Sequence, residues 1–562
     1  MLLLGACTDT SLPPDSGGGT CHSITTTISA LQGDGYHSPL VDSLQTVRGT
    51  VTYVAKDSGF YLEDTESPPE RASSRALFVS DSELARSVQP GQQLQLSGRV
   101  SELGKRLDKL TALVEISGHE LCAGKAELPL TRARLPMNSA EREALEGMRV
   151  SFEQPLTLTD VYNLASGVLT LSSNGVLRVP TEVRAPGAAA RKLEKENRNH
   201  SLKAVLPSSG AAIKVGATTQ YASGLMGHNG SGQQLFLDAE PDMEFDLPAV
   251  PVPALENTIR VVSSNLLNFF NGDGKGGGFP TERGAESMDQ FLAQSARTRA
   301  VMEQIQPDLL AVQELENDGF GPDSAAQSLL DLLQDTGFDD WAFIAPAAGG
   351  IGGDVITVGL FYRRQVLQAV GSPRVLDSPE FRGLSRQPLA QLFRDVRSGR
   401  SLLVAVNHLK SKGSCPDGGE NSDQEDGQNC WNKARVSAVD AEIPWLERLA
   451  EEMATENILV LGDMNAWRKE DPVRQFTESG FIDLVEQLSG LPQYSFLFWG
   501  QTGTLDYAFA SPPLAKSVQS ALIWHINANW PAGMDQPRPW LRASDHDPVI
   551  VDLDFSQSVT SD

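Results

Sequence analysis

The sequence predicts a β-rich N-terminal half followed by a layered α/β domain, α+β or α/β in class. Three observations predict it. Up to about residue 245 the apolar residues fall in short runs broken by Gly, Asp and Pro. A Pro-spaced acidic stretch, AEPDMEFDLPAVPVPALE (239–256), then reads as a linker. Beyond it, strand-like runs alternate with helix-spaced segments, the pattern of a layered α/β domain.

The bulk properties agree with several globular domains. At ~100–200 residues per domain, 562 residues are too many for one. Forty per cent hydrophobic residues with 50 Gly and 33 Pro describe an ordinary globular chain. No apolar run approaches the ~18 residues a membrane helix needs. The net charge of −26, from 46 basic and 72 acidic residues, argues against broad charge-driven adhesion to nucleic acid or anionic lipid. A locally basic cleft, or a metal supplying the positive charge, stays compatible with it.

Taken in order, residues 1–20 read as a signal remnant and flexible tether. Cys7 follows Leu4, Gly5 and Ala6 as in a bacterial lipobox, the context for lipidation, and TDTSLPPDSGGGT follows it. A basic n-region is missing, so either the reading frame begins upstream of Met1 or Cys7 is incidental. Residues 21–122 hold VRGTVTYVAKDSGFYLEDTE, ALFVS, GQQLQLSGRVSEL and LTALVEISG, a small β-barrel by pattern. Their order resembles the OB-fold-like domains found ahead of secreted nucleases. In that setting Tyr53, Phe60 and Tyr61 are candidates to stack on bases, but filling of the barrel core is the favoured reading for them. Residues 123–245 continue as a β-rich accessory segment interrupted by the charged RKLEKENRNHSLKAV, and 246–256 form the linker.

With Cys7 set aside, four cysteines remain. Cys21 and Cys122 bracket the first domain, and Cys415 and Cys430 close a short loop. A disulfide closing about 15 residues is worth roughly 3 kcal/mol. A metal pair is the alternative for Cys415 and Cys430, although neither has a second Cys or His at zinc spacing. Two disulfides imply export to an oxidising compartment, extracellular or outer-membrane and periplasm-facing.

Within 257–556 the strand-like runs are IRVVSSN (259–265), DLLAVQE (308–314), TVGLFYRR (357–364), SLLVAVNH (401–408), NILVLGDMN (457–465), TLDYAFAS (504–511) and HDPVIVDLDF (546–555). Between them Leu292, Ala296, Ala300/Val301 and Ile305 keep helical spacing. Val436, Val439, Ile443, Leu446, Leu449 and Met453 do the same, with Pro444 positioned to kink or divide that helix. Polar residues sit at the strand ends: Asn265, Glu314, His408, Asp463 with Asn465, Asp506, and Asp545 with His546. Each alone has a structural explanation as a cap or turn. Their recurrence is the signal, because ligands gather where strands of layered α/β proteins end. Oxygen donors without Cys favour Mg2+, with Ca2+ or Mn2+ possible as alternatives.

In order and spacing, SSNLLNFF, AVQELEN, NHLKSKG, VLGDMNAW, TLDYAFAS and SDHDPVIVDL resemble the endonuclease/exonuclease/phosphatase superfamily. The resemblance covers residues 257–556 and implies a four-layer sandwich of two β-sheets flanked by helices. The β-rich first half, the paired Cys of GSCPDG…GQNCWNKARV and the lipobox-like start resemble its bacterial extracellular deoxyribonuclease branch. Glu314 is thereby implied as a direct metal ligand and Asp545 as holding the same or a second ion, with Asn265 nearby as a further metal-site residue. Asp463 and Asn465 would orient or activate water and hold the scissile phosphate. His546 would donate to phosphate or act as acid–base, with Asp506 fixing its tautomer. His408 and Arg386 would contact the phosphate or leaving oxygen, and Asp354 is the nearest carboxylate candidate to partner His408.

The expectation is therefore a monomeric, metal-dependent nuclease acting on extracellular DNA, with DNA-versus-RNA preference left open by the sequence. A sphingomyelinase-like lipid phosphodiesterase is the runner-up, for which the aromatic YSFLFWGQTG (494–503) would be a membrane hairpin rather than core or substrate wall. A catalytically dead DNA-binding surface protein is the third reading. Trp467 reads as a packing residue, with a contact to DNA as the alternative.

Overall fold

A computed structural model describes residues 21–556, apart from residues 22, 56, 66–72, 106–107, 209, 230–231, 252–253, 255–256, 347–349 and 491–492. Cys7 and the tether lie outside the described residues. The chain divides into two compact units. The first holds Met1–Pro155, Leu202–Ser208 and Gln220–Pro241; the second holds Leu156–Ser201, Ser209–Thr219 and Asp242–Asp562. The segment 123–245 therefore contributes strands to both units.

In the first unit five strands close a barrel, in the order Leu44–Ala55, Gly59–Glu63, Ala76–Val79, Asp108–Lys125, Gln92–Lys105. Leu44–Ala55 pairs antiparallel with Gln92–Lys105 to close it, and Ala76–Val79 pairs in parallel with Asp108–Lys125. Val47, Val51, Phe60, Leu62, Leu77, Leu94, Leu96 and Leu113 fill the interior. Phe60 and Tyr61 are buried, Tyr61 against Phe78 and Leu225, so neither offers a face to a base. Only Tyr53, 37% exposed, retains a free surface. Cys21 is bonded to Cys122 across 101 residues. Five further strands of this unit lie side by side in part of a larger sheet, in the order Ser201–Val205, Gln233–Leu237, Ala222–His228, Arg149–Phe152, Thr131–Ala133.

The second unit is built on two six-stranded sheets. One runs Trp341–Phe343, Ile356–Arg363, Leu309–Glu316, Thr258–Phe269, Val549–Asp554, Val518–Ile523. The other runs Leu367–Val375, Arg386–Asp395, Ser401–His408, Ile458–Asp463, Asp506–Ala510, Ile482–Asp483. Both are covered on two faces, which explains the unbroken apolar runs of their central strands. In Ile458–Asp463, Leu459 and Leu461 join the core between the sheets with Val261, Val404 and Val551. Ile458 and Val460 point the other way, against Leu446 and Leu449 of helix Asn432–Glu452 and Phe476 of helix Asp471–Glu478. Helices Met288–Ile305 and Ala325–Gln334 cover the first sheet through Val301, Met302, Ile305 and Leu329. The result is the helix–sheet–sheet–helix sandwich.

Two helical details differ from the sequence reading. Pro444 neither divides nor ends its helix, which runs on to Glu452. In Met288–Ile305 the buried stripe is Phe291, Gln294, Thr298, Val301 and Ile305, whereas Leu292 is 50% exposed. Gln294 takes an inward place because its amide donates to the carbonyls of Leu266 and Leu267, at 2.8 and 2.9 Å. No described helix is long and apolar enough to cross a membrane.

Part of residues 156–201 joins the second unit's site region. Leu177–Arg178 adds in parallel to Gln501–Gly503, which pairs with Phe496–Phe498. RKLEKENRNH lies within helix Ala188–His200. Within the expected linker, the Ala249 carbonyl accepts from Trp524 Nε1 at 2.7 Å. Cys415 is bonded to Cys430, as the disulfide reading expects and the metal-pair alternative does not.

Candidate active site

Strand register assembles the centre of the site. Ser401–His408 lies parallel to Ile458–Asp463 with His408 opposite Asp463, and Asp506 lies opposite Asp463 on the other side. Three functional groups thus sit level across adjacent strands. Gly462 permits this approach. Its φ is +129°, and a Cβ there would lie 2.1 Å from the Asn407 carbonyl oxygen. The strand preceding His408 also pairs with Arg386–Asp395, placing Arg386 opposite His408.

The other sheet supplies Asn265 and Glu314 from the ends of neighbouring parallel strands. Asn265 Nδ2 donates to Glu314 Oε1 at 3.2 Å and reaches Asp463 Oδ2 at 3.5 Å, so one amide ties the two sheet ends together. Its own carbonyl oxygen accepts from Leu267 N at 3.0 Å, and Glu314 Oε2 accepts from Asn268 N at 2.9 Å. Left-handed backbone recurs here: Glu314 has φ +60°, Asn465 +47° and Asn268 +52°. Such conformations carry a local cost and cluster at functional sites.

Asp463 is held at both oxygens. Oδ1 accepts from Asn465 N at 2.8 Å, and Oδ2 accepts from Asn465 Nδ2 at 3.2 Å. His408 Nε2 is 3.5 Å and His546 Nε2 4.0 Å from Asp463 Oδ2. His546 Nδ1 is 2.7 Å from Asp506 Oδ2, which leaves Nε2 facing Asp463. Ser495 Oγ secures Asp506 by accepting from its backbone N–H at 3.0 Å. Every site residue the sequence reading named on these strands is brought here; Asp545 is half-buried beside His546.

Burial and charge separate the two imidazoles. Burial, reinforced by Arg386 and His546, pushes His408 well below the usual range, so it stands neutral. Burial also opposes charge on His546, but Asp506, Asp463 and Asp545 outweigh it and raise it well above that range. Burial lifts Asp463, with His546 pulling back and Asp506 pushing further. Burial and then Asp545 raise Glu314. A buried carboxylate raised by another carboxylate is a place where a cation relieves repulsion. Ligand atoms of Asp463, Asp506 and His546 also lie within 4.8 Å of one another. In that trio the short His546–Asp506 hydrogen bond makes an ion-paired triad the better description.

Asp354 is not the partner of His408. It lies 3.8 Å from Arg386 Nη1 and 3.7 Å from Arg283 Nη1, and His408 Nδ1 has no hydrogen-bond partner among the described residues. Arg386 Nη2 donates to the Leu409 carbonyl at 3.2 Å. The sequence reading missed Arg283 and Lys410 as site cations. Lys410 stood inside the NHLKSKG motif; Arg283 lies in a loop with no local signal. The aromatic run 494–503 divides: Phe496 packs 4.6 Å from the His546 ring, Trp467 is buried beside it, and Trp499 is 83% exposed.

A family model described as the Endonuclease/Exonuclease/phosphatase family matches residues 263–546, half of the chain. No curated protein matches. Among solved structures, the human Nocturnin catalytic domain with bound sulfate is 20% identical, covering 54% of this chain and 94% of that one, with a TM-score of 0.35. A Bacteroides thetaiotaomicron mannosyl-6-phosphatase is 16% identical over 53% and 100%, TM-score 0.35. D. rerio TDP2 complexed with single strand DNA product is 15% identical over 53% and 99%, TM-score 0.33.

Proposed function

The chain belongs to the endonuclease/exonuclease/phosphatase family, and from that premise we propose that it is an exported, divalent-metal-dependent endonuclease that hydrolyses extracellular DNA. The observation that carries the reading is the level placement of His408, Asp463 and Asp506 on three adjacent strands, with His546 bound to Asp506. That arrangement offers an acceptor for a water proton beside a charged donor to a phosphoryl oxygen, which hydrolysis of an anionic ester requires.

Asp463, fixed by Asn465, takes the proton of the attacking water. His546, kept cationic by Asp506, donates toward the phosphate, and neutral His408 faces the same position from the other side. Arg386, anchored on the Leu409 carbonyl, contributes a planar cation suited to phosphate oxygens. Glu314 with Asp545 would hold the metal, with Asn265 orienting Glu314; Mg2+ suits these hard oxygen donors, with Ca2+ or Mn2+ as alternatives. When bound, such an ion neutralises charge developing on the phosphoryl group.

The DNA substrate is supported by the closed five-stranded barrel of the first unit, the segment whose sequence resembles the OB-fold-like domains found ahead of secreted nucleases. Export is supported by the two disulfides. A lipid phosphodiester is the second reading, favoured by Trp499 and by Phe498, 38% exposed, near the site. Incubation with plasmid DNA and, separately, sphingomyelin vesicles, each with Mg2+ or EDTA, decides between them. DNA is expected to be cut only with the metal; intact DNA under every divalent ion would sink the nuclease reading.

A further inference from the structure

A short piece of chain that precedes the family-matched region reaches the foundations of the site. Leu177–Arg178 pairs with Gln501–Thr502, Val179 N donates to the Thr502 carbonyl at 3.0 Å, and Thr502 Oγ1 donates to the Leu177 carbonyl at 3.1 Å. Helix Pro180–Val183 follows, and its Glu182 is fully buried. Glu182 Oε1 accepts from Arg468 Nε at 3.2 Å, Thr504 Oγ1 at 3.1 Å and Arg178 Nη2 at 3.1 Å. Oε2 accepts from the backbone N–H groups of Arg468 at 3.2 Å and Thr504 at 3.1 Å.

Those two backbone amides belong to the two segments that carry the site. Arg468 follows Asn465 in the turn after Asp463, and Thr504 stands just before Asp506. The segments are already pressed together: Met464 N donates to the Leu505 carbonyl at 2.8 Å, and a Cβ on Gly503 would lie 2.6 Å from Trp467. Thr181 repeats the device, donating to Glu470 Oε1 at 2.8 Å while its carbonyl accepts from Lys469 N at 2.9 Å. A buried carboxylate is costly unless fully paired, and here every donor comes from this segment or from the two site segments.

We propose that Glu182 is a positioning residue of the hydrolase, fixing the spacing between the Asp463–Asn465 turn and Asp506 and thereby the approach of His546 to Asp463. The proposal rests on the assignment of those residues as the reacting groups. It makes a region outside the family match part of the catalytic unit, and ordinary packing glue would not require bonds to both backbone segments at once.

The test uses the full chain with Glu182→Gln, whose amide turns one N–H toward a donor, and with Thr504→Val, which removes a single hydroxyl. In Glu182→Gln, kcat on plasmid DNA falls on the order of tenfold to a hundredfold, while KM stays within about twofold. Thr504→Val shifts kcat in the same direction by less, and circular dichroism reports a retained fold. An unchanged kcat, or a loss confined to KM, overturns the proposal; if Glu182→Gln does not fold, Thr504→Val decides. The unsubstituted chain is assayed on plasmid DNA, sphingomyelin and a sugar phosphate. Turnover of either of the latter without DNA cleavage sinks the nuclease reading alone, and the variant ratio is then read on that substrate. Should none be turned over, a crystal structure of Glu182→Gln with an unmoved Asp463–Asp506 pair overturns the positioning role.

Discussion

Glu314 and His546 sit at opposite ends of one chain of contacts: Glu314 to Asn265, Asn265 to Asp463, Asp463 to His546. Replacing either end by Ala removes a charged group while leaving the flanking strands paired. Cleavage by Glu314→Ala or His546→Ala is expected to fall on the order of 100-fold or more, with an unchanged circular dichroism spectrum; retained activity would remove that residue from the mechanism. A different buried acid bears on stability. Glu442, on the inner face of helix Asn432–Glu452, is pushed by burial up to about 8, with Asn407 pulling back. The folded form therefore binds this proton more tightly than the unfolded chain. Its contribution is complete below about pH 4.5 and is lost, at about 1.4 kcal/mol per pH unit, as pH rises toward 8. Glu442→Gln keeps the shape and removes the titration. Its melting temperature is expected to match the unsubstituted chain at pH 4 and exceed it at pH 8. No gain at pH 8 would show that Glu442 does not carry this pH dependence.

The strand Ile458–Asp463 concentrates fold and site in one element. Its four leading residues pack alternately into the two cores, and its last two bring Asp463 level with His408 and Asp506. Gly462→Ala would drive a Cβ into the Asn407 carbonyl at a φ that only glycine adopts readily. A loss on the order of 3 kcal/mol is expected, together with lost cleavage; a melting temperature within the scatter of the unsubstituted chain would mean the strands can spread without consequence. Elements of this kind are legible in a sequence, because burial on two faces demands an apolar run and the polar residue ending it stands out. The helix Met288–Ile305 is legible as a helix, yet its inward stripe is not, since Gln294 is drawn inside by backbone carbonyls that no periodicity reveals. The pairing of Leu177–Arg178 with Gln501–Thr502 leaves no signal either: two residues are too few for a pattern, and their partner lies over 300 residues away. The same holds for Arg283, placed beside Asp354 by a loop.

For the molecule as a whole, charge and proposed substrate pull in opposite directions. A net charge of −26 repels a polyanion at long range, while Arg386, Arg283, Lys410 and His546 gather positive charge at the site. A protein that holds DNA across a broad basic surface of 6–10 phosphate contacts loses about 10³–10⁵ in affinity between 50 and 200 mM salt. Here added monovalent salt screens the repulsion, whose reach shrinks to about 10 Å at 0.1 M, while contact with these four cations alone sets a log–log slope of roughly −3.6. kcat/KM for plasmid DNA, measured at saturating Mg2+, is therefore expected to fall by no more than about 300-fold as NaCl goes from 20 to 100 mM. A fall well beyond about 10³-fold over that range would place an extended basic DNA-binding surface on this chain, and the local-cation account of how so acidic a protein engages DNA would have to be abandoned.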